Sequence, residues 1–61
     1  NMVNTRIAVE IQTRINELKS EQVQLRTFID SDVARREALE KAIEELNWVL
    51  ELVTGGKDES A

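Results

Sequence analysis

From Val3 to Ile29 the apolar residues Val3, Ile7, Ile11, Ile15, Leu18, Leu25, Phe28 and Ile29 recur at three- and four-residue spacing. That spacing keeps one face of a 3.6-residue helix apolar, and it predicts a helix over about residues 3–29, roughly 40 Å long. Val9 and Val23 fall off the stripe and are expected on the surface. The second half reads differently. Leu39, Ile43, Leu46, Leu50 and Val53 form a narrow stripe, Ala38, Ala42 and Val49 widen it on one side, and Trp48 and Leu52 carry it towards the far face. A helix that meets one neighbour needs an apolar stripe about 100° wide. This one exceeds half the circumference, so it is expected to touch at least two neighbours. A chain this short supplies only one.

Between the two patterns lies Asp30-Ser31-Asp32. All three residue types favour N-caps and turns over helix interiors. We therefore expect a turn at residues 30–31, with Asp30 or Ser31 capping a second helix over about 32–54. Gly55 or Gly56 is expected to end it, since glycine accepts the left-handed conformation. Residues 55–61 then form a polar tail, and the whole of 1–61 makes a single helical domain. Glu10–Arg14, Asp32–Arg36 and Glu37–Lys41 are the expected i, i+4 pairs.

A rival reading is a single long continuous coiled-coil helix. With Ile11, Leu18, Leu25, Asp32, Leu39, Leu46 and Val53 at heptad position d, position a holds Ala8, Ile15, Gln22, Ile29, Arg36, Ile43 and Leu50. One register thus runs unbroken through the supposed turn. Asp32 and Arg36 would then be consecutive core residues, which is costly for two charges. They also fall near the midpoint of the chain. Both points favour an all-α antiparallel helical hairpin, two of which assemble into a dimeric four-helix bundle or coiled-coil oligomer. The oligomer core is expected to be Ile11, Ile15, Leu18, Leu25 and Ile29 against Leu39, Ile43, Leu46, Leu50 and Val53. Gln22, at a core position, is a candidate for fixing the register or else an edge residue.

Composition strengthens the case for association. A chain of 61 residues buries only about 60% of its unfolded surface, and such chains usually need disulfides, metal or oligomerisation. There is no Cys and no His. No disulfide is possible, the commonest metal ligand is missing, and no cofactor is expected. A cytoplasmic location fits, no apolar run is long enough to span a bilayer, and no signal peptide is visible. Asn1 ahead of Met2 reads as a tag remnant before a native start, which leads us to expect a whole small protein.

The net charge of −4 is unevenly placed: residues 1–29 carry +1 and residues 30–53 carry −4. In an antiparallel hairpin the acids Glu44, Glu45 and Glu51 should lie beside Arg6 and Arg14. An acidic chain lacks the broad basic footprint of a nucleic-acid binder.

Candidate chemistry is sparse. Without His or Cys there is no Ser-His or Cys-His arrangement, and an enzyme is not expected. Glu37, Glu40 and Glu44 share a helical arc, but the Glu-x-x-His motif of bundle di-metal sites is missing. Asp30-x-Asp32 lacks the glycine and closing Glu of a calcium loop. Arg35 and Arg36 stand in the first turn of the second helix, where cations oppose the helix dipole. With Arg26 they form a candidate site for an anion, nucleotide or RNA backbone, unless Asp32 and Glu40 neutralise them. Trp48, with Leu52, Val49 and Ala38, is the candidate protein interface, because a large exposed aromatic–aliphatic patch usually marks a contact. In length, central turn and polar tail the layout resembles the plasmid-encoded RNA-binding helical hairpins that dimerise as four-helix bundles. That likeness involves no residue motif and assigns no site residue.

The leading expectation is a small non-enzymatic, self-associating helical module, an adaptor or inhibitor of a larger protein. Bacterial and phage genomes encode many such chains and are the expected source. An oligomeric binder of an anion, nucleotide or RNA is the alternative.

Overall fold

The computed structural model of the chain describes residues 2–56. It contains two helices, α1 (Met2–Gln24) and α2 (Asp30–Thr54), packed against each other as an antiparallel hairpin. The long continuous helix is thereby excluded. The parts of the polar tail from residue 57 onward lie outside the described residues.

The turn sits earlier than residues 30–31. α1 ends at Gln24 rather than Ile29, and residues 25–29 make the connection. Apolar spacing persists through Leu25, Phe28 and Ile29, but here it does not reflect helix. Leu25 N–H donates back to the Gln22 carbonyl at 3.2 Å, a tightened last turn. Leu25 then stays half-buried against the core, while Phe28 swings outward and is 80% exposed.

The start of α2 also differs from expectation. Its N-cap is Ile29, in extended conformation, and no side chain caps there. Ile29 C=O accepts from Val33 N–H at 2.9 Å and opens the helical ladder. Asp30 and Asp32 lie inside the first turn, where negative charge suits the helix dipole. The Asp32 carboxylate reaches back across the turn and accepts from both the backbone N–H and the Nε of Arg26, each at 3.0 Å. It therefore does not pair with Arg36. The far end follows expectation. Gly55 closes α2 at φ 84°, and its N–H donates to the Leu52 carbonyl.

The hairpin core is small. Ile15, Leu18, Leu39 and Ile43 are buried, and Ile11, Leu25, Leu46 and Leu50 pack against them. Eight of the ten residues expected in an oligomer core thus form the contact between α1 and α2 of one chain. Ile29 and Val53 are half-buried. The result is a slab of 44 × 24 × 11 Å between Cα extremes, one helix thick. Among the described residues, no third element covers the two broad faces of that slab.

Candidate interaction surface

The turn end of the slab is held by polar cross-links. Arg35 grips Glu21 through two nitrogens, at 2.7 and 3.2 Å. Gln22 and Arg36 clasp each other reciprocally. The Gln22 amide donates to the Arg36 carbonyl at 3.4 Å, and the Arg36 guanidinium donates to the Gln22 carbonyl at 3.3 Å. Gln22 also donates to the Glu40 carboxylate at 2.9 Å. The Arg35 guanidinium holds the Glu21 carboxyl below its ordinary range, chiefly by hydrogen bonding, and the Arg35 pKa is raised in return. The Arg26 backbone N–H and side chain hold Asp32 down in the same way.

These contacts locate the candidate anion site. Arg26, Arg35 and Arg36 do gather around the turn, as the sequence suggests. Each, however, already faces an acceptor: Asp32, Glu21 and the Gln22 carbonyl respectively. Glu40 partners Gln22 rather than Arg36. With α2 starting at Asp30, Arg35 and Arg36 lie beyond its first turn, where the helix dipole no longer opposes them, and Arg26 lies in the connection. Arg6 and Arg14, expected beside the acids of α2, pair within α1 instead, with Glu10 at 3.8 Å and Glu17 at 3.1 Å. The Glu10–Arg14 pairing is therefore replaced by its neighbours.

The open end is different in kind. A shallow groove on one broad face is lined by Val3, Ile7, Ile11 and Leu46, with Arg6, Glu10 and Arg14 along its rim. Val3 is 64% and Ile7 43% exposed. Helical periodicity brings Ala38, Ala42 and Val49 of α2 onto this same face. All three are exposed. The opposite face carries a groove in which Thr5, Gln12 and Asn47 stand beside Ala8, Val9, Leu50, Leu52 and Val53. The two faces differ in their polar groups: the first sets aliphatic residues at the open end among charged ones, the second sets them among amides and hydroxyls.

Trp48 and Leu52 stand on the outer edge of α2, away from α1, and are 51% and 50% exposed. Neither belongs to the hairpin core. Val49 and Ala38 lie round the helix from them on the aliphatic face. The four residues of the candidate interface therefore divide between an edge (Trp48, Leu52) and a face (Val49, Ala38). Sequence reasoning missed Val3 and Ile7 as surface residues, because their spacing is in phase with the half-buried Ile11 and the buried Ile15. It also missed Phe28, which looks like one more stripe residue. The signal for Phe28 is its place in Thr27-Phe28-Ile29, a run of weaker helix formers directly before Asp30-Ser31-Asp32, whose two acids suit a first turn.

Among the described residues no group of three or more His, Cys, Asp or Glu is placed to hold a metal ion. No described helix is long and apolar enough to cross a membrane. Comparison with protein-family models, curated proteins and solved structures finds no match.

Proposed function

We propose that this chain is a small, non-enzymatic, self-associating helical interaction module that binds and modulates a larger protein. The observation that carries this reading is the half-exposed Trp48–Leu52 pair on the outer edge of α2, outside the core that closes the hairpin. Trp offers a large contact area with little conformational entropy to lose, and it is the residue type most enriched at interface hot spots. The alternative, an anion or RNA binder, draws less support, because Arg26, Arg35 and Arg36 are each engaged within the turn.

The test is a photo-cross-linking amino acid at position 48, with position 20 on exposed α1 surface as control, in cells of the source organism. A discrete heterologous adduct at position 48 and none at position 20 supports the reading. Loss of that adduct in the Leu52→Asp background would place the contact on this edge. Self-adducts alone, or equal labelling at both positions, would overturn the larger-partner reading.

A further inference from the structure

The aliphatic face needs an occupant, and the charges around it say which. Arg35 stands level with Glu21, and Arg36 with Gln22, across the antiparallel pair. Counting along both helices from that anchor sets Val49 level with Ile7, Lys41 with Glu17, and Glu45 midway between Glu10 and Arg14. Now turn a second hairpin by 180° about the long axis of the slab and lay its aliphatic face on the first. Each α1 then lies over the partner's α2 without any change of level.

We infer that the aliphatic face is the seat of a second copy of this chain, stacked in that two-fold arrangement. This deepens the self-association part of the reading above and is independent of the Trp48 edge.

Three observations carry it. First, exposed aliphatic residues meet each other: Val3 and Ile7 of one copy face Val49 of the other, while Ala42 and Ala38 let the helices approach closely. Second, two rim levels bring opposite charges together. Arg14, which pairs with Glu17 of its own helix, comes within reach of Glu45 of the second copy, a carboxylate that also neighbours Glu10, and Glu17 comes level with Lys41. Each pair occurs twice by symmetry. Turning the second hairpin about the short in-plane axis instead would lay Val3 and Ile7 on the charged turn end. Third, the size fits. A face of 44 × 24 Å is on the order of 1,000 Å², close to the roughly 800 Å² per partner of a stable interface. In the stack each helix gains a second neighbour, as the width of the α2 stripe requires, and Trp48 remains at the edge.

The deciding experiment is a charge swap read by light scattering and small-angle scattering. The wild-type chain of 7.0 kDa should run at twice that mass. With helix axes about 10 Å apart across the stack, its backbone radius of gyration should be about 15 Å, against 14.2 Å for one hairpin. Edge-to-edge pairing gives about 17 Å and end-to-end pairing about 26 Å by the same geometry. Arg14→Glu should raise the dimer dissociation constant about tenfold or more, because Glu45 of the second copy then faces carboxylates alone at both symmetric contacts, and Glu45→Arg supplies the complementary variant. Mixing the two variants should restore dimers, since both contacts are then complementary.

A monomeric wild type would overturn the stack together with self-association itself. A dimer of about 17 or 26 Å, or one indifferent to the reversals, would overturn the stack alone. So would failure of the mixture to dimerise while both variants keep wild-type helicity. Where a reversal unfolds the chain, cysteine trapping decides, since the native chain has no Cys. Ile7→Cys mixed with Val49→Cys should give the mixed disulfide in preference to either symmetric one. Preference for a symmetric disulfide would sink the arrangement.

Discussion

Ile15 is fully buried, while Val23, eight positions on, is 81% exposed. Both are β-branched aliphatic residues of α1, so their environments alone separate them. Truncating a buried Ile removes its transfer free energy and leaves a cavity that neighbours fill only partly. Ile15→Ala should therefore cost about 2–5 kcal/mol, whereas Val23→Ala should stay within about 0.5 kcal/mol. In a core of four buried residues the first loss is large enough to abolish the cooperative transition. Urea unfolding followed by circular dichroism checks both: equal effects at the two positions would mean that the packing of α1 on α2 is not what holds the hairpin. At this scale the stripe was readable in advance. Ile15, Leu18, Leu39 and Ile43 sit at its centre, and periodicity alone identifies a centre. It does not identify where a stripe ceases to be covered. Val3 and Ile7 are in phase with Ile11 and Ile15 but project onto the open face, and only the relative placement of two helices reveals that.

The elements are joined by electrostatic ties rather than by a cap. That a turn exists near the midpoint was legible, because Asp32 and Arg36 make a poor core for a continuous coiled coil. Its position was not, because it depends on Asp32 reaching back to Arg26, a contact that no local preference encodes. These ties have a pH signature. Glu21 and Asp32 are held below their ordinary values of 4.5 and 3.8. A carboxyl depressed on folding contributes stability that is fully present above its unfolded value and is lost as pH falls through the folded one. The thermal midpoint should thus be level from pH 7 to about 5 and fall on further acidification. The Glu21→Gln/Asp32→Asn double variant should start from a lower midpoint at pH 7 and show a shallower acid decline. Glu21 is the more exposed of the two carboxylates and Asp32 the more covered, so added salt should weaken chiefly the Glu21 contribution. Parallel acid profiles for the two proteins would show that the turn does not depend on these contacts.

A slab one helix thick, with four buried side chains, is marginal for an independent fold. A chain of this length leaves about 40% of its unfolded surface exposed even when compact. Much of what remains uncovered here is aliphatic and concentrated on one face. If a second copy covers that face, folding and association are linked, and the folded state gains stability with total concentration. A hundredfold rise in concentration is worth about 2.7 kcal/mol per dimer, which for two chains of this size corresponds to a shift in thermal midpoint of roughly 10 °C. Ala42→Glu, at the centre of the aliphatic face and away from the α1–α2 core, should remove that concentration dependence and lower the midpoint to that of the dilute wild type. Glu is as good a helix former as most residues, so the substitution tests the face and not the helix. A wild-type midpoint that does not move with concentration would mean that the four-residue core is sufficient by itself. The breadth of the α2 stripe would then have to be explained by a foreign partner, meeting Val49 and Ala42 as well as Trp48.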